Sequence, residues 1–168
     1  GNGTIVANYT LNNLVTIRIA NITVSVTGLT PVVVTVTQAA GSPTLSVTPS
    51  NRNVTAPAGT TSFTVTSNTS WTVTSNQTWC TVTPSGTGNG TITASYSINP
   101  DITQRIATIT VTVSTLPAQN VTVTQAGAPT LSATASATPL AIDFGQSSQL
   151  DITSTGGTGT YSYSWTSN

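Results

Sequence analysis

The sequence predicts an all-β protein made of tandem β-sandwiches. Three observations predict it: apolar and polar residues alternate with period two along most of the chain, no segment carries a helical period, and long internal copies recur at a constant spacing. Successive side chains of a strand point to opposite faces, so period-two alternation marks a strand with one buried face.

The alternation is clearest in Ile22-Thr23-Val24-Ser25-Val26, Thr108-Ile109-Thr110-Val111-Thr112-Val113 and Asn120-Val121-Thr122-Val123-Thr124. Each run is expected to bury Val or Ile and to show Thr or Ser. Thr makes up nearly a quarter of the chain. Its branched Cβ suits the exposed side of a pleated backbone. Gly, Pro and Asn punctuate the runs at short intervals, the spacing of a sandwich.

The internal copies set the domain pattern. Gly1-Asn2-Gly3-Thr4-Ile5 recurs as Gly88-Asn89-Gly90-Thr91-Ile92. Arg18-Ile19-Ala20 recurs as Arg105-Ile106-Ala107, and Val34-Thr35-Val36-Thr37-Gln38-Ala39 as Val121-Thr122-Val123-Thr124-Gln125-Ala126. These copies lie about 87 residues apart, a suitable length for one small sandwich. A second family relates Pro43-Thr44-Leu45-Ser46 to Pro129-Thr130-Leu131-Ser132, each followed by a strand ending in Thr-Ser and then a Trp. Residues 42–128 are therefore expected to form one complete sandwich. Residues 1–41 are expected to be the back half of a preceding one, and 129–168 the front half of a following one.

The chain opens without Met, inside a strand-like pattern, and reads as a processed or cropped part of something longer. Joining Ser164-Trp165-Thr166-Ser167-Asn168 to Gly1-Asn2-Gly3-Thr4 nearly restores the middle domain's strand order. The joint could be covalent continuation or strand donation between subunits, and the second would also hide open sheet edges.

Composition narrows the function classes. The chain has no His, Lys, Glu or Met, and its charged residues are Arg18, Arg52, Arg105, Asp101, Asp143 and Asp151. General acid–base and nucleophilic chemistry draw mainly on His, Glu and Lys, so no catalytic residue and no cofactor is expected. Three scattered Asp do not make a calcium site, and no metal is expected. Phosphate binding needs clustered Lys and Arg, so nucleic acid is not an expected partner. No apolar run approaches the ~20 residues of a membrane helix, and no signal peptide opens the chain. A single Cys, Cys80, reads as a buried inert thiol.

The segment Ser70-Trp71-Thr72-Val73-Thr74-Ser75-Asn76-Gln77-Thr78-Trp79-Cys80-Thr81-Val82-Thr83-Pro84, with Gly86, Asn99, Arg105 and the closing Val121–Gly127 run containing Gln125, resembles the BACON family. These are immunoglobulin-like modules of secreted and surface proteins of Bacteroidetes. Residues 1–41 match that family's second half, and residues 129–168 look more like PKD and related adhesion repeats. The resemblance implies an immunoglobulin-like sandwich and an extracellular or cell-surface location. It also raises carbohydrate binding, without a residue set that carries it over.

Trp71 shares parity with Val73 and is expected in the core. Trp79 has opposite parity to Cys80 and Val82, so it lies on the exposed face or at a bulge that re-aims it inward; the strand start favours the bulge. If exposed, it could serve as a carbohydrate platform. Tyr161, Tyr163 and Trp165 share one face of an alternating run, a core face first and a second candidate platform. Arg18 and Arg105 are expected to pair with carbonyls or an Asp. N-glycosylation sequons stand at Asn2, Asn8, Asn21, Asn53, Asn68, Asn76, Asn89 and Asn120, about twice the number expected from Ser and Thr content. The expected role is a non-catalytic structural or adhesive repeat of an extracellular fibre, glycosylated, with copies of itself as partners. The alternative is a carbohydrate-binding module with glycans as ligand.

Overall fold

The computed structural model describes residues 2–166, and every regular element among them is a β-strand. Gly1, Ser167 and Asn168, where the expected joint between copies falls, lie outside the described residues. A first hairpin pairs β1 (Arg18–Val24) with β2 (Val32–Gln38). Nine strands follow: β3 (Leu45–Thr48), β4 (Asn51–Val54), β5 (Gly59–Ser67), β6 (Ser70–Ser75), β7 (Cys80–Val82), β8 (Ser85–Thr87), β9 (Gly90–Tyr96), β10 (Arg105–Thr112) and β11 (Gln119–Gln125). A last hairpin pairs β12 (Ser132–Thr138) with β13 (Gln149–Thr155).

The nine central strands make a four-stranded sheet, β3-β5-β9-β7, and a five-stranded sheet, β4-β11-β10-β6-β8. All pairings are antiparallel except β4 with β11. One core joins the two sheets. Phe63, Val65, Ile92 and Ala94 come from the first, and Trp71, Ile109, Val111 and Val123 from the second. The alternation read from the sequence explains it: from Phe63 on in β5 and from Ala107 on in β10 every second residue is buried. Burying each such Val, Ile or Phe contributes about 1.5–3 kcal/mol, so the Val/Thr pattern both drives and orients the sandwich.

The chain enters this sandwich at one end and leaves at the other. Near the entrance, the Thr44 amide donates to Asn68 Oδ1 and Ser67 Oγ donates to the Thr44 carbonyl, beside the turn at 87–90. At the exit, the Ala126 amide donates to the Val54 carbonyl and the Ala128 amide to the Asp101 carbonyl. The last strand, Gln119–Gln125, runs the length between the two ends, roughly 20 Å.

The two outer hairpins repeat pieces of the sandwich but bury little. Arg18↔Gln38 through Val24↔Val32 reproduce, about 87 residues earlier, the register Arg105↔Gln125 through Val111↔Gln119. The expected buried face of Ile22 and Val24 is nevertheless only partly covered, because among the described residues no second sheet lies across it. Alternation says which face of a strand is apolar; it does not supply the layer that covers that face. Residues 3–9, copies of the residues that build β9, form no strand. In the complete sandwich β9 is held between β5 and β7.

Candidate functional site

Three places in the fold bring distinctive side chains together. The first is the slot around Trp71, which is 3% exposed as expected from its parity. Its indole N–H donates to the Gly88 carbonyl at 2.9 Å, so the one polar atom of a buried indole is satisfied. A Cβ at Gly86 would land on the indole ring, which explains the glycine opposite Trp71 in the β6–β8 pair.

The second is a polar clasp at the exit end. Gln125 is fully buried and donates Nε2 hydrogens to the Ala56 and Ser97 carbonyls, both at 2.9 Å. Its Oε1 accepts from Arg105 Nε at 2.9 Å, and Arg105 Nη2 reaches the Ser97 and Ile98 carbonyls. Asn99, also fully buried, donates Nδ2 hydrogens to the Thr103 and Ala126 carbonyls and accepts the Asp101 amide. The clasp fastens the loop before β10 to the end of β11. No residue of it is arranged to transfer a proton.

The first hairpin carries the same clasp. Asn12 donates to the Thr16 and Ala39 carbonyls and accepts the Leu14 amide, while Arg18 donates to Gln38 Oε1 and to the Thr10 carbonyl. The expected pairing of both arginines with carbonyls is thus met in space. The role of Asn12 and Asn99 was missed in the sequence reading. The signal was there: each stands at the same repeat spacing as the Arg–Gln pairs.

Trp79 lies beside the clasp. It is half-buried, packed against the core, with the Arg105 guanidinium 4.2 Å above its ring centroid. A cation–π contact of this kind occupies one face of the ring. Burial pushes the Cys80 thiol up from its usual range, against smaller opposing effects of Ser75 and Arg105, which keeps it protonated at neutral pH.

The third place is a pair of open apolar faces. Over β12 and β13, Tyr161, Tyr163 and Trp165 line a groove with Leu131, Ala133 and Ile152. The three aromatics are about half exposed, with Tyr161 and Tyr163 ring centroids 6.4 Å apart. They share one side as expected, but the core they would face is open. On the first hairpin, Tyr9, Ile19, Ala20 and Val36 line a matching groove.

The sequons divide by geometry. Asn68 uses both amide hydrogens, on the Asn13 and Ser42 carbonyls. Asn2, Asn8, Asn21, Asn53, Asn76, Asn89 and Asn120 are exposed. Among the described residues no group of three metal-ligating side chains comes together, and no helix is long and apolar enough to cross a membrane.

The family model described as the viral BACON domain matches residues 44–128, just over half of the chain. The chain belongs to this family. The matched BACON segment covers all nine strands of the closed sandwich, the Trp71 slot and the clasp. None of the curated proteins matches the chain. Among solved structures it is similar to a Bacteroides ovatus GH5 xyloglucanase, with 22% identity and TM-score 0.48 over 50% of this chain and 19% of that one. It is also similar to a chain of a chaperone–tip adhesion subunit complex of Acinetobacter baumannii Csu pili, with 14% identity, TM-score 0.42 and coverages of 50% and 57%. A third likeness is to WR4, a C. elegans MSP family member, with 17% identity, TM-score 0.35 and coverages of 49% and 96%. At these scores the likenesses carry nothing about function. The chain spans about a fifth of the xyloglucanase.

Proposed function

We propose that this chain is a non-catalytic structural or adhesive segment of an extracellular fibre, built from BACON sandwiches joined in tandem or head to tail. The division into a complete domain at 42–128 and two flanking halves is part of the proposal. The observation that carries it is the pair of outer hairpins. Each repeats strands of the closed sandwich, at opposite ends of it, with its apolar face uncovered. Contiguous exposed apolar surface of this kind marks an interaction surface.

The linkers support an extended array. At the exit, a Cβ on Gly127 would strike the Ile102 carbonyl, so the backbone there is packed against the preceding loop. At the entrance, Asn68 ties the Asn13 loop of the first hairpin to Ser42. The scarcity of charge removes repulsion between neighbours and gives little solubility. N-glycans on the exposed sequons would supply it, with Asn68 left bare.

A second reading, a carbohydrate-binding module, is favoured by the exposed Tyr161, Tyr163 and Trp165. Trp79 serves that reading less well, because Arg105 covers one of its faces. Electron microscopy and intact mass of native material test the fibre. Thin filaments with a mass above the bare polypeptide are expected. Isolated globules that bind a glycan array through Trp165 would replace the fibre by the sugar-binding reading.

A further inference from the structure

We infer that the open edge of β13 accepts residues 3–9 of a second copy of this chain as its missing strand, joining copies head to tail. This rests on the fibre reading and specifies its joint. The template is inside the molecule. In the closed sandwich β5 is flanked on one side by β3 and on the other by β9. β13 has its counterpart of β3, namely β12, and among the described residues no strand on the other edge. Residues 3–9 repeat the sequence positions of β9 and pair with nothing.

The register follows from β5 and β9. Phe63↔Ile92, Thr64↔Thr91 and Val65↔Gly90 map onto Leu150 with Ile5, Asp151 with Thr4, and Ile152 with Gly3. The burial contrast shows what is missing. Ile92 and Val65 are 0% exposed and Phe63 is 1%, whereas Ile5 is 65%, Ile152 36% and Leu150 56% exposed. The second layer follows the same logic. Val111 and Val121 are buried at 0% and 2%, and their copies Val24 and Val34 stand 37% and 52% exposed. Covering β12 and β13 with the β1–β2 hairpin would close one sandwich core from two chains.

The two halves belong to different copies because they sit at opposite ends of the closed sandwich. Each is tied to its own end by a short, packed linker. A contact between two different surfaces of the same chain does not close on itself, so it propagates as a linear polymer. Strand addition supplies main-chain hydrogen bonds along the edge, and the alternating apolar side chains fix the register.

Cysteine cross-linking tests this on the 168-residue chain. Thr4 and Asp151 are the copies of Thr91 and Thr64, which face outward, and are directly opposed in the inferred register. An equimolar mixture of Thr4→Cys and Asp151→Cys chains should give, on mild oxidation, a covalent heterodimer as main product. The double variant should give a ladder of covalent oligomers. Moving the second cysteine to Thr153 shifts it about 7 Å, beyond disulfide reach, and should lower the yield about tenfold. Thr64→Cys/Thr91→Cys reports that this register oxidises within a chain. If that control forms and the heterodimer does not, or if the double variant closes only within one chain, the inference is overturned. Filaments in micrographs without the cross-link would leave the fibre and remove this joint. The cross-link without filaments would do the reverse.

Discussion

Replacing Trp71 by Ala is expected to destabilise the closed sandwich by about 3–5 kcal/mol. The indole is buried between Gly86 and Gly90, where Cβ atoms would collide with it, so nothing adjacent can swing in to fill the space. The substitution also leaves the Gly88 carbonyl without its donor. A domain of this size has a total stability of roughly 4–12 kcal/mol, so the loss takes away much of it. Urea unfolding followed by circular dichroism measures it. Trp71→Phe, which keeps most of the ring volume, should recover more than half of the loss. A Trp71→Ala unfolding free energy within about 1 kcal/mol of the parent's would mean that the slot does not organise the core.

Asn99→Asp comes next, at about 3 kcal/mol near neutral pH. The side chains have nearly the same shape, so the change isolates the clasp's hydrogen bonding. The amide that donates to the Thr103 and Ala126 carbonyls becomes an oxygen facing two oxygens, in a fully buried position. Burial and the two acceptors both disfavour the carboxylate, so its folded-state pKa rises above the ordinary value of about 3.9. The folded variant then holds its proton more tightly than the unfolded chain does. Its stability is greatest below that ordinary pKa and falls as pH rises towards the folded pKa, levelling off above it. Unfolding curves at acid and neutral pH should therefore show a smaller deficit in acid. Equal deficits at both would place residue 99 in water rather than in the clasp.

Much of the fold was legible in the sequence because β-sandwiches write their layers as alternation. Val111 and Val123 fall inside and Trp71 follows Val73, as parity requires. The copies of Arg105 and Gln125 at Arg18 and Gln38 could be paired by spacing, and the structure places each pair in hydrogen-bond contact. Three things were not legible. The guanidinium over the Trp79 ring comes from a strand 26 positions later, a contact no local pattern encodes, although the ring packs against the core as the bulge reading expects. The repeat spacing marks Asn12 and Asn99 as equivalent positions, but their contacts depend on carbonyls brought in by loops, which parity does not reach. The exposure of Val24, Leu150 and Tyr161 was hidden too, because an apolar stripe looks the same with or without its cover.

Hydrogen exchange of the whole chain at increasing concentration tests the proposed division into one closed sandwich and two flanking halves most directly. Strands β5, β9, β10 and β11 should be protected at every concentration, since they close within one chain. The amides of residues 18–38 and 132–155 should exchange fast when dilute and slow down together as copies meet. Outer hairpins that are protected to the same degree at every dilution would show both already closed on their own, and the proposed head-to-tail joining of BACON sandwiches would have no open faces to work with.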